Sequence, residues 1–184
     1  MKHNLPRWIQ HELALAAAEN SREEVTLSMS TFEHSPRITP FLWFDTNAEE
    51  AVKFYLSVFK NSRKLAEFRS PGETPLPKDA VLTIAFELDG TRFTALNGGP
   101  NYKFNEAVSF VVRCDSQDEI DYYWSCLTEG GSEIACGWLK DKFGLCWQIV
   151  PAQIYEVIRH PRAMRAMMQM KKLEIAELEG AIRE

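Results

Sequence analysis

The sequence predicts an α+β protein: two βαβββ modules, then a helical tail. From Ile38 the order strand, helix, strand, strand, strand is legible, and from Ala107 it begins again. Asp45 and Asp115, each closing a first strand, stand 70 positions apart, and the helix pattern Ala51, Phe54, Tyr55, Val58 returns as Ile120, Tyr123, Trp124, Leu127. A cryptic duplication of that length is one structural unit used twice. After Pro151 the pattern changes to methionines and leucines at helical spacing.

Residues 1–36 read as an extension ahead of the domain. A short amphipathic helix is expected from Trp8 to Glu19; the apolar run Leu13 to Ala18 follows His11 and Glu12, which argues against a signal peptide. Met29 is a second candidate start, so the domain proper is expected near Arg37, spanning 37–151, with 152–184 as tail. Ile38 to Phe44 is an apolar, aromatic strand. Asp45-Thr46-Asn47 supplies a helix N-cap, and Glu49 and Glu50 suit the positive end of the helix that runs to Phe59. Arg63 to Arg69 is a strand; Ser70 to Asp79, with three prolines and a glycine, is an irregular loop. Val81 to Leu88 and Arg92 to Leu96 are strands joined by Asp89-Gly90, a strong hairpin signal.

In the second module Ala107 to Cys114 is a strand, Asp115-Ser116 caps, and Gln117 to Glu129 is a helix ended by Gly130-Gly131. The stretch CGWLKDKFGLCWQIVP then raises a question. Its Asp141-Lys142-Phe143-Gly144 centre is either a turn or a reactive site. Aspartate accepts backbone hydrogen bonds at the start of a turn and glycine takes the positive φ that closes it, so Cys136 to Lys140 and Gly144 to Val150 are expected to form a hairpin ended by Pro151. In the tail, Met164, Met167, Met168, Ile175, Leu178 and Ile182 form one helical stripe, expected to dock on the protein's own core or on a partner.

Composition narrows the function classes. A net charge of −5 and a pI near 5.5 oppose nucleic-acid binding, which needs a concentrated basic surface. The apolar runs are too short to span a bilayer. Cys114, Cys126, Cys136 and Cys146 lack metal-site spacing and are expected to be buried free thiols in a reducing, cytoplasmic setting. All four histidines (His3, His11, His34, His160) lie outside the modules. Asp141 and Cys136 are the available base and nucleophile, with no histidine or second carboxylate near them in sequence, so no catalytic residue is assigned.

With ITPFLWF, AVKFYLSVF, LNGGP, SFVVRC and GWLKDKFGLCWQIVP in order, the chain resembles the vicinal oxygen chelate superfamily, and within it the PhnB-like branch, whose members are often labelled 3-demethylubiquinone-9 3-methyltransferase. WLKDKFGLCWQIVP is the most specific piece, and the tail run MMQMKKLEIAELEGA is also similar to that branch. The resemblance implies paired modules forming a glyoxalase-like cup, commonly completed in a homodimer. It also implies metal-ligand positions on the first, fourth, fifth and eighth strands. Here these fall at Thr39, at Ala95 or Asn97, at Ser109 and at Gln148, none of them histidine or carboxylate. No metal site and no cofactor are therefore expected.

Strand alternation puts Thr39, Phe41 and Trp43 of the first strand, Phe93, Ala95 and Asn97 of the fourth, Ser109, Val111 and Arg113 of the fifth, and Cys146, Gln148 and Val150 of the eighth on one face. The expected ligand-binding set is Thr39, Phe41, Trp43, Asn97, Ser109 and Gln148. For Phe41 and Trp43 core packing competes with ligand contact; for the amides and the hydroxyl, buried polar atoms need partners. Two function classes follow. The first is a metal-independent small-molecule-binding protein; the second is a lyase, isomerase or dioxygenase of the superfamily with atypical ligands. Methyl transfer is not expected, because Gly98-Gly99-Pro100 follows a strand but opens no helix to cradle a nucleotide cofactor.

Overall fold

A computed structural model describes residues 36–74 and 76–183. The helix expected at Trp8 to Glu19 lies outside them. The chain divides into two compact units, one ending at Pro100 and the other beginning at Asn101.

In the first unit, strand β1 (Phe41–Phe44) leads into helix α1 (Ala48–Val58), then β2 (Ser62–Arg69), β3 (Val81–Leu88) and β4 (Thr91–Asn97). The sheet order is β1-β4-β3-β2, with β1 parallel to β4 and the other pairs antiparallel. Asp89 (φ 44°) and Gly90 (φ 79°) are both left-handed, as the tight hairpin turn requires. That two-residue turn places Leu88 opposite Thr91 and thereby Phe86 opposite Phe93 and Ile84 opposite Ala95. Helix α1 covers this face: Tyr55, fully buried, stacks on Phe86 at 6.3 Å, and Phe86 stacks on Phe93 at 5.4 Å.

The parallel pairing sets Phe41 opposite Thr94, Leu42 opposite Ala95 and Phe44 opposite Asn97. Leu42, Phe44, Phe93, Ala95 and Asn97 therefore share the covered face, and Thr94 and Leu96 share the open face with Phe41 and Trp43. The phase expected for the fourth strand was one residue out. Asn97, expected to meet a ligand, instead serves the helix. Its Oδ1 accepts from the Ala48 N–H at 2.8 Å, and its Nδ2 donates to Glu49 Oε2 at 2.7 Å and to the Val81 carbonyl at 3.0 Å. Asn47, where the local cap was expected, makes no side-chain cap bond.

The second unit repeats the plan. Strand β5 (Ser109–Cys114) leads into α2 (Gln117–Thr128), β6 (Ser132–Glu133), β7 (Trp138–Lys140) and β8 (Cys146–Pro151), in sheet order β5-β8-β7-β6. Here the helix is capped locally: Ser116 Oγ accepts from the Glu119 N–H at 3.2 Å, and Glu119 Oε2 accepts from the Asp115 N–H at 2.7 Å. The covered face carries Phe110, Leu139, Trp147 and Ile149 beneath Ile120, Trp124 and Leu127 of α2. Cys136, expected in a strand, has φ 60° and precedes β7; its N–H donates to the Met170 carbonyl.

The tail differs from the single stripe expected. It forms three short helices, α3 (Ile154–Val157), α4 (Pro161–Met167) and α5 (Ile175–Arg183). Between α4 and α5 the backbone leaves the helix, and there Met170 and Lys171 give their carbonyls to Cys136 and Gly137. Gln117 fastens the approach to α5, donating to the Leu173 carbonyl at 3.2 Å and accepting from the Ile175 N–H at 2.9 Å. Met170, Leu173 and Leu178 are buried together with Ile154 and Val150, and Ala163 is buried as well, while Met168 is exposed. All four cysteines are free thiols, but only Cys114 and Cys146 are buried; Cys126 and Cys136 are partly exposed. Burial pushes the Cys114 thiol up to about 12. None of the described helices is long and apolar enough to cross a membrane.

Asn97→Ala should lower the unfolding free energy by about 1–3 kcal/mol, because a helix N–H and a strand carbonyl lose their buried partner. Urea denaturation measures it; wild-type stability would reject the capping role.

Candidate functional site

The face of the second sheet opposite α2 is covered only in part, Val150 packing under the tail, and the register fixes what stands on it. Ser109 pairs with Cys146, which pairs with Lys140; Val111 pairs with Gln148, which pairs with Trp138; Arg113 pairs with Val150. Paired residues share a face, so these eight side chains form a grid with Gln148 at its centre. The expected phase of β5 and β8 is thus the phase observed. Ser109 and Gln148 are brought together, the Gln148 amide donating to Ser109 Oγ at 2.8 Å. Val111 beside them is 55 % exposed. Lys140 pairs with Glu106, which holds that exposed carboxyl below its ordinary range; Cys146, under Lys140, is pushed up by burial.

The first sheet's open face is different. Phe41 is 56 % exposed, and the Trp43 indole N–H donates to the Gly99 carbonyl at 2.9 Å. A Cβ on Gly98 would come within 2.4 Å of the Trp43 ring, so the glycine is what lets the indole lie flat there. Thr94, at 7 % exposure, occupies the row of Phe41. Thr39 precedes β1 and donates to the Pro36 carbonyl at 3.2 Å. At the far end of the sheet Arg63 and Arg92 both pair with Glu87, at 2.9 and 3.6 Å.

Asp141 is a turn former. Its Oδ1 accepts from the Phe143 and Leu145 N–H groups at 2.9 and 3.0 Å, its Oδ2 accepts from the Trp147 indole at 2.9 Å, and Gly144 closes the turn at φ 88°. A 2 % exposed carboxylate with three donors is committed to structure.

The sequence reading missed Thr94, Trp138, Lys140 and Glu106. Thr94 was legible in principle from the two-residue turn at Asp89-Gly90, which fixes the phase of β4. Trp138 and Lys140 follow from the hairpin centred on Asp141; Glu106 precedes β5 and carries no local signal.

The register also bears on the metal that the superfamily resemblance implies. Thr94 stands opposite Phe41 as Gln148 stands opposite Val111, so the fourth-strand ligand position is Thr94 rather than Ala95 or Asn97. Threonine, serine and glutamine are neutral oxygen and nitrogen donors, and Ser109 and Gln148 are already bonded to each other. Among the described residues no group of three or more His, Cys, Asp or Glu side chains is placed to hold a metal ion. These residues do not fit a transition-metal centre.

The family model for 3-demethylubiquinone-9 3-methyltransferase matches residues 36–150. The PhnB protein from Bacillus cereus is 32% identical with a TM-score of 0.58, the match covering 64% of this chain and 100% of that one. Protein PA1353 from Pseudomonas aeruginosa is 23% identical with a TM-score of 0.53, over 64% of this chain and 98% of its own, a likeness of fold. No curated protein matches the sequence.

Asp141→Asn keeps the volume but turns an NH₂ group toward one of three donors. It should cost about 1–3 kcal/mol in stability, read by urea denaturation. Full stability with loss only of ligand binding would contradict the structural role.

Proposed function

Since the chain belongs to the 3-demethylubiquinone-9 3-methyltransferase family, PhnB-type proteins of the vicinal oxygen chelate superfamily, we propose that it binds a small organic molecule without a metal. The observation that carries this reading is the Ser109–Gln148 pair, set in a partly covered sheet face beside Val111 and Trp138. A ring or alkyl group gains by covering Val111 and Trp138, and the hydroxyl–amide pair orients it through its remaining donor and acceptor capacity. In the first sheet Phe41 and Trp43 offer an aromatic surface of the same kind, with Thr94 in the row of Phe41. Thr39 and Asn97 take no direct part in this reading, being engaged with Pro36 and with the start of α1.

Methyl transfer, the activity in the family's description, is not the reading these residues favour. Gly98 and Gly99 at the end of β4 run into a turn at Pro100 and Asn101, and both sheets are mixed rather than doubly wound. The four free thiols suit the reducing cytoplasm.

Benzamide, one apolar ring with one amide, is a suitable probe. Titrated into ¹⁵N-labelled protein, it should shift amide signals of β5, β7 and β8, equally with and without EDTA. Gln148→Leu should weaken binding about tenfold, the worth of one hydrogen bond to a partly buried group. Absent or scattered shifts, or shifts lost with EDTA, would overturn the reading.

We further propose a homodimer. Phe41 and Phe68 are each at least half exposed on the first sheet's open face, and a second copy is the usual cover for such surface. Light scattering should give about 42 kDa, twice the 21.1 kDa chain; the monomer mass would refute it.

A further inference from the structure

On the second sheet's open face the charges are not balanced. Lys140 occupies one corner of the grid and is neutralised by Glu106. Arg113 occupies the opposite corner, exposed, and among the described residues it has no acidic partner. In the first sheet, by contrast, Arg63 and Arg92 have Glu87 between them. An uncompensated guanidinium beside an apolar, hydrogen-bonding surface is a receptor for an anion.

The register sets the spacing. Arg113 pairs with Val150, the neighbour two residues along from Gln148, so Arg113 and Gln148 are diagonal neighbours. Diagonal Cα atoms are roughly 7–8 Å apart, within the span of an arginine side chain. One small molecule can therefore touch both. The Gln148 amide donates to Ser109 Oγ, leaving the serine hydroxyl proton and the amide carbonyl to meet a ligand.

Resting on the small-molecule reading above, we infer that the ligand is a small carboxylate: its anionic oxygens are taken by Arg113, a polar group near them meets the Ser109–Gln148 pair, and its apolar part lies on Val111 and Trp138. Arg113 can bind a carboxylate through two parallel N–H bonds, which a neutral amide cannot reproduce. Lys140 serves differently. Held by Glu106, it closes the opposite corner without adding net charge.

Benzoate and benzamide share a ring and differ in charge, which makes the pair a direct test. With ¹⁵N-labelled protein at low salt, benzoate should bind about tenfold more tightly than benzamide, as expected for one charge-assisted contact at an exposed site. Arg113→Gln should bring the two affinities together, Arg113→Lys should keep part of the preference, and the charge-conserving pair Lys140→Gln with Glu106→Gln should leave it unchanged. Dispersed amide spectra of each variant establish that it is folded. Equal binding of the two probes to the wild type overturns the carboxylate inference while the small-molecule reading stands. Binding of neither overturns both. A preference that survives Arg113→Gln, or vanishes only in the Lys140→Gln, Glu106→Gln double variant, removes Arg113 from the role.

Discussion

Each four-stranded sheet has a single helix to cover it, and most of the structure follows from that shortage. The crossover from β1 through α1 brings β1 beside β4 in parallel, and β5 through α2 comes beside β8 in the same way. The helix must cover the face rich in Ile84, Phe86 and Phe93 in one unit and Leu139, Trp147 and Ile149 in the other. Among the described residues the opposite face has no helix laid along it in either unit, and it is covered only in part, as where Val150 packs under the tail. The same crossover sets each helix N-terminus near the end of the last strand, where its first N–H groups need acceptors.

The two units meet that need differently. Asn97 closes β4 with an amide that reaches the Ala48 N–H, whereas Pro151 holds the corresponding place opposite Cys114 and α2 is capped by Ser116. Similar substitution runs through the other matched positions. Thr39 corresponds to Ser109, Phe41 to Val111, Trp43 to Arg113 and Thr94 to Gln148. The first copy carries aromatic rings where the second carries a branched alkyl group and a cation. Polar and charged side chains are thereby concentrated on the second sheet's face and aromatic surface on the first's.

Legibility in the chain tracks the range of the forces involved. The Asp89-Gly90 hairpin and the Asp141 to Gly144 turn are decided by a few adjacent residues, and both are where the sequence places them. β4 was harder. In Arg92 to Asn97 both alternations hold apolar residues, Phe93 and Ala95 on one side and Leu96 on the other, so periodicity alone does not choose; the turn before it does. The tail depends on partners far away in sequence. Cys136, Gly137 and Gln117 bind the stretch from Met170 to Ile175, and nothing in the methionine spacing announces them. The Ser109–Gln148 pair was legible as two polar residues inside apolar strands. Arg113 was placed on their face by alternation but left out of the expected ligand set, and Lys140 was missed because it looks like an ordinary solvated side chain until the register sets it beside Cys146.

Asp141 links the turn to the polar face of the second sheet from the buried side. A buried carboxylate with two backbone donors and the Trp147 indole fixes the rotamer of that tryptophan and the position of β8 at its first residues. Strand period is two, so holding Trp147 against Leu139 and Phe110 on the covered face obliges Gln148 to stand on the open one. A slip of one residue would carry Trp147 to the open face and bury the glutamine amide under α2, with an unsatisfied amide and an unpaired carboxylate as the cost. The bonds that make Asp141 a poor catalytic base are therefore the ones that hold the polar centre of the second sheet in place.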